Sequence, residues 1–183
     1  MIDLRRIFAL YDRAYRLLDD VTPRRFNCGT LCGAACCHNL SKSGDTETGM
    51  LLLPFEKDYL QHAGAAGYSY LCDSNREEPD MLICSGLCDR RFRPFACRIF
   101  PCYASFFEVK NGKTALRVRP DPRAAQICPL VTNRAFRRSV PRFIRNVKKA
   151  VRILSAEPEI YADLQKTSDF LNAMYDFYGK LVQ

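Results

Sequence analysis

The chain has 183 residues, 48% of them apolar, which is enough for a core and leaves no stretch that reads as a long disordered tail. No run of eighteen apolar residues occurs, so no transmembrane segment is expected. The net charge of +8 is unevenly spread. Between Pro122 and Ala156 there is no acid and there are nine bases: Arg123, Arg134, Arg137, Arg138, Arg142, Arg145, Lys148, Lys149 and Arg152. The remainder is near neutral.

The first expected element is a helix over about Asp3 to Asp20. Ile7, Leu10, Tyr11, Ala14, Leu17, Leu18 and Val21 recur at helical spacing, and Thr22-Pro23 ends it. This N-terminal stretch mixes Arg and Asp with its apolar residues and lacks both a continuous hydrophobic segment and a small-residue cleavage site. It does not read as a signal peptide, and a cytoplasmic location is the expectation.

Phe26 to Leu40, FNCGTLCGAACCHNL, holds the first cysteine block: Cys28, Cys32, Cys36 and Cys37. Ser41 to Thr48 is a polar loop, Met50 to Leu53 a short apolar run, and Pro54 starts a helix that ends near Gly64. Gly64 to Ser74, with Cys72, reads as irregular. Met81 to Cys84 is short and apolar.

The second block, CSGLCDRRFRPFACRIFPC, supplies Cys84, Cys88, Cys97 and Cys102. Pro94 is expected to start a short helix carrying Phe95, Cys97 and Ile99, and Pro101 to stop it. Tyr103 to Val109 and Thr114 to Val118 flank Asn111-Gly112, a strong hairpin signal.

From Val131 the pattern is helical. Val140, Phe143, Ile144, Val147, Val151 and Leu154 make one stripe of a helix starting near Ser139. Arg138, Arg142, Arg145, Lys149 and Arg152 fall on the opposite face. Ser155 and Pro158 mark the start of a last helical stretch with a break at Thr167-Ser168. The expected fold is α+β and mainly helical. One domain over 1–183 has a cysteine-rich, irregular middle at 26–128 with a small hairpin, and a helical part at 131–183.

Ten cysteines, eight of them in two blocks, need an explanation. Five disulfides are possible by count, but such frameworks belong to oxidising compartments. In a reducing compartment clustered thiols persist as metal ligands, as redox-active thiols or as small buried apolar residues; metal ligation is the favoured reading, and it needs deprotonated sulfurs converging on one centre. The candidate ligands are Cys28, Cys32, Cys36, Cys37, Cys84, Cys88, Cys97 and Cys102, with Cys72 and Cys128 as additional candidates.

Zinc knuckles prefer two residues between paired cysteines, whereas here three recur, at Cys28–Cys32, Cys32–Cys36 and Cys84–Cys88. Iron–sulfur sites use more varied spacings, since each sulfur binds a different iron. The spacings therefore favour an iron–sulfur cluster, with zinc as the alternative. Adjacent Cys36 and Cys37 diverge, so both do not readily serve one ion, and one centre or two remain open. The expected arrangement takes half of the site from each block. His38 is a further candidate ligand. His62 is a weaker one, and two histidines do not make a His-rich catalytic zinc site. Arg93 and Arg98 flank Cys97. They are expected either to offset a negative cluster as neighbours of its ligands, or to salt-bridge an acid such as Asp89.

These residues carry a resemblance. The first block is similar to the cysteine signature of the zinc- or iron-chelating proteins known as the CxxCxxCC family. Arg93-Pro94-x-x-Cys97-Arg98-x-Phe100-Pro101 resembles that family's second signature. The resemblance covers about residues 26–101, together with Cys128. This chain departs from the pattern in its CxxxCxxxCC spacing and in the closeness of Cys84 to Cys88. The family includes relatives of flagellin lysine N-methylases, so the resemblance implies a metal centre and, more distantly, protein lysine methylation. No glycine-rich loop for S-adenosylmethionine and no radical-type CxxxCxxC spacing accompanies it.

Three functions follow as expectations. The first is a cysteine-ligated iron–sulfur or zinc protein acting as an oxidoreductase or modifying enzyme. The second is a non-enzymatic zinc module that meets nucleic acid or an acidic protein through its basic helix. The third is a protein lysine N-methylase.

Overall fold

The computed structural model describes residues 2–19, 21–23, 33–38, 49–65, 68–71, 79–83, 89–132 and 140–181. The fold is α+β and mainly helical, as the sequence pattern implies. Among the described residues no helix is long and apolar enough to cross a membrane.

Helix α1, Leu4–Arg16, starts where Asp3 caps it by accepting from the Arg6 N–H at 3.1 Å. Ile7, Leu10, Tyr11, Ala14 and Tyr15 form its buried face. It ends four residues before the expected Asp20, and the chain continues into a turn that buries Leu18. A one-turn helix α2, Ala35–His38, carries the end of the first cysteine block.

The stretch read as an apolar run and irregular coil forms a three-stranded antiparallel sheet. Strands β1 (Gly49–Leu51), β2 (Tyr70–Leu71) and β3 (Met81–Ile83) lie in the order β1-β3-β2. Gly49 is dictated by this pairing, because a Cβ there would sit 2.4 Å from the Leu82 carbonyl oxygen. Helix α3, Glu56–His62, follows β1.

Helix α4, Phe95–Ile99, lies between Pro94 and Pro101 as expected, and the Phe100–Pro101 peptide is cis. The predicted hairpin is present. Strands β4 (Cys102–Val109) and β5 (Lys113–Pro120) pair from Cys102↔Pro120 to Val109↔Lys113. Asn111 and Gly112 take φ of 77° and 67°, the left-handed turn that an Asn-Gly pair accepts readily. Helix α5, Pro129–Thr132, is one turn long.

Helix α6, Pro141–Leu154, has its proline at the first turn, where the missing N–H is not needed. Phe143, Val147, Ala150, Val151 and Leu154 are buried, and α6 packs on α1. Burial of each large aliphatic contributes about 1.5–3 kcal/mol. Asn146 Nδ2 donates to the Leu17 carbonyl at 2.8 Å across that contact.

Helix α7, Pro158–Leu181, is continuous, which corrects the expected break at Thr167-Ser168. The reason is tertiary. Ser168 is buried, and its hydroxyl turns outward to accept from the Phe106 N–H at 2.8 Å. One turn later Asn172 Nδ2 donates to the Phe106 carbonyl at 3.1 Å, while its Oδ1 accepts from Tyr103 and Ser105 hydroxyls, each at 2.8 Å. The edge of β4 facing away from β5 is thereby paired by side chains of α7 instead of a further strand. Ser168→Ala leaves the buried Phe106 N–H without its acceptor. We expect a loss of about 1–3 kcal/mol in urea unfolding, and a loss under about 0.5 kcal/mol would contradict this role.

Candidate metal centre

The segment around Cys97, in the second cysteine block, is positioned by two buried ionisable residues. The first is Glu56, which has no solvent exposure. Pro54 and Phe55 occupy the centre of a turn closed by Glu56 N–H donating to the Leu53 carbonyl at 3.0 Å. Phe55 has φ of 66°, the conformation that position usually assigns to glycine. The Glu56 carboxylate returns across this turn and accepts from the Leu53 N–H at 2.9 Å. It also accepts from the Phe95 N–H at 2.6 Å and from the Tyr15 hydroxyl. One carboxylate therefore joins α1, the turn before α3 and the first residue of α4.

The second is Arg98 on α4, also buried. Its Nη1 pairs with Asp19 Oδ1 at 2.6 Å. Its Nε donates to the Arg93 carbonyl at 2.8 Å, and its Nη2 to the carbonyls of Arg90 and Arg91 at 3.0 and 2.6 Å. Its guanidinium stacks 4.0 Å from the Tyr15 ring centre. Arg98 thus meets an acid, but Asp19 instead of Asp89. Asp89 pairs with Arg91 at 2.6 Å, which holds its carboxyl below the usual range.

Between these anchors α4 presents Cys97 to a cavity of about 460 Å³. Cys36 from the first block and Cys102 at the start of β4 line the same cavity, among apolar walls that include Leu52, Ile99 and Phe100. The two blocks, far apart in sequence, share one space. Cys128 is buried nearby, close enough to influence the charge of Cys102. None of Cys36, Cys97, Cys102 and Cys128 is in a disulfide. Arg93 is in the cavity wall, as are Asp121 and Arg123, which pair with each other at 2.7 Å.

Burial pushes the Cys102 thiol up to about 12, with Asp121 and Cys128 adding to the effect. In an apolar wall the thiol form is favoured, and a bound cation is what inverts that preference. Soft thiols grouped in a sheltered cavity suit zinc or an iron–sulfur cluster by donor chemistry. Among the described residues, no group of three or more His, Cys, Asp or Glu is close enough to hold a single metal ion. The expected ligands Cys28, Cys32, Cys72, Cys84 and Cys88, and the side chains of Cys37 and His38, lie outside the described residues. His62 packs its ring against Phe8 at 5.1 Å. On α6, Arg142, Arg145, Lys149 and Arg152 are exposed as expected, and Arg138 lies outside the described residues.

Glu56 with its partner Tyr15, and Asp19 as the partner of Arg98, were not signalled by sequence. Their contacts span 39 to 79 positions, and no local pattern encodes them. Family models, curated proteins and solved structures yield no match to this chain.

Burial raises the Glu56 carboxyl above its ordinary value of 4.5, against the opposing pull of its three hydrogen bonds and Arg98. The folded state therefore holds this proton more tightly than the unfolded chain. Its contribution to stability is complete below about pH 4.5 and declines as pH rises through the raised folded value. Glu56→Gln removes the titration and sets an amide N–H against the Leu53 or Phe95 N–H. We expect it to cost about 1–3 kcal/mol at pH 4.5, with the gap to wild type narrowing towards neutrality. A gap that widens with pH in urea titrations would contradict a raised Glu56 carboxyl.

Proposed function

We propose that the chain is a cysteine-ligated metalloprotein whose centre is an iron–sulfur cluster, with zinc as the alternative. The observation that carries this reading is the cavity shared by Cys36, Cys97 and Cys102, thiols drawn from both blocks. A single zinc ion needs every sulfur about 2.3 Å from one point, whereas the ligands of a cluster bind different irons and sit further apart. That favours the cluster for thiols lining a cavity of this size. The resemblance to CxxCxxCC proteins implies a metal centre and does not choose between iron–sulfur and zinc.

Cys28, Cys32, Cys36 and Cys37 would supply one half of the ligands, and Cys84, Cys88, Cys97 and Cys102 the other. Cys72 and Cys128 are the additional donors. A cluster would supply electron transfer, and zinc would supply Lewis acidity. Arg93, in the same wall, would offset the negative charge of thiolate ligands. Arg98 acts indirectly, holding the carbonyls of the segment before Cys97. The leading reading is an oxidoreductase or modifying enzyme, and a non-enzymatic zinc module is the alternative. Lysine methylation rests on the sequence resemblance alone.

A second reading, contact with an anionic partner, is favoured by the exposure of Arg142, Arg145, Lys149 and Arg152 on one helix.

The centre is tested by Cys28→Ser and Cys97→Ser, one from each block. Both should lose most of their bound metal after anaerobic purification and melt at lower temperature, because metal binding is coupled to folding. Full metal content in both variants would refute a site shared between the blocks.

A further inference from the structure

Helix α6 contains no acid, and its exposed Arg142, Arg145, Lys149 and Arg152 are spaced by three, four and three residues. At about 1.5 Å per residue, they form a row about 15 Å long. Among the described residues none of the four is in an ion pair. The opposite face of α6 is locked in the core, so the helix cannot roll to hide them. Asn146 ties the middle of α6 to Leu17, next to the last turn of α1 and its exposed Arg13 and Arg16. Among the described residues, the acids on either side of that turn are committed elsewhere. Asp12 accepts from the Tyr59 hydroxyl at 3.0 Å, and Asp19 pairs with Arg98.

Several anions suit a cationic surface, and the geometry chooses among them. A helix lying on lipid inserts an apolar face, but none of the exposed large apolar side chains is on α6. Protein–protein contacts centre on aromatic or aliphatic anchors, and this face has none. Three of its four cations are arginines, whose planar forks bind phosphate oxygens in pairs. Four cations on one face can neutralise up to about four phosphates. With no aromatic on the face, bases of a single strand have nothing to stack on.

We propose that α6 docks on the phosphate backbone of a nucleic-acid duplex without reading its sequence. This rests on the anionic-partner reading above and is independent of the cysteine centre.

The test is fluorescence anisotropy of the full-length, metal-loaded chain with two unrelated labelled duplexes of roughly 20 base pairs, between about 50 and 300 mM KCl. Both duplexes should bind within about two-fold of each other. The slope of log affinity against log salt should be about −3.6, from four phosphates at about 0.9 each. Arg142→Gln with Arg145→Gln should reduce that slope by about two while circular dichroism and metal content stay unchanged. A slope unaltered in the double variant would overturn the proposal. So would tighter binding to a single strand, to polyglutamate or to phosphatidylserine vesicles at the same salt. Duplex binding that survives loss of metal in Cys97→Ser would support the surface even if the centre were disproved.

Discussion

A carboxyl group sealed from water holds α1, the turn before α3 and the start of α4 in register. Glu56 would be costly to bury alone, because a charge without partners in an apolar interior is strongly disfavoured. It is stable because three donors converge on it: the Tyr15 hydroxyl from α1, the Leu53 N–H from its own turn and the Phe95 N–H from α4. Each donor would be unsatisfied without it. The turn that brings Glu56 there tolerates a left-handed Phe55, whose ring packs against the core. Local backbone strain is thus offset by long-range pairing.

Arg98 completes the frame from the other side of Tyr15. Its guanidinium covers the Tyr15 ring, pairs with Asp19 and gathers the carbonyls of Arg90, Arg91 and Arg93. Five-residue α4 could not persist alone, since isolated short helices are marginal in water. With Phe95 fixed at its start and Arg98 near its end, Cys97 between them is left at the cavity wall. Cys102 is placed by a different device. It opens β4, whose outer edge is held by Ser168 and Asn172 of α7. The cavity's cysteines are therefore held by supports drawn from both ends of the chain, which is what the proposed metal centre would require.

Much of this framework is legible locally. The hairpin follows from Asn111-Gly112 between apolar runs, α4 from its flanking prolines, and α6 from a clean periodic stripe opposite a basic face. What is not legible depends on distance. Strands of two or three residues carry too little alternation to be recognised, so Tyr70–Leu71 reads as irregular chain in the absence of its pairing with β3. Thr167-Ser168 reads as a helix break because serine usually competes for its own backbone. Here its hydroxyl is engaged by Phe106, 62 positions away. Cysteine clustering names the candidate ligands, but only the fold brings Cys36, Cys97 and Cys102 to one cavity. The role of Arg98 is half legible: its need for an acid follows from its charge, whereas Asp19, 79 positions away, has no local signal.

The central claim is that these sulfurs hold a metal centre assembled from both blocks. The most direct measurement is native mass spectrometry of the wild-type chain purified without oxygen, taken with its visible absorption spectrum. The account predicts a brown protein whose added mass corresponds to iron and inorganic sulfide, with equivalent zinc on a colourless chain as its alternative. A folded chain that carries neither iron nor zinc, from cells supplied with both, would contradict it.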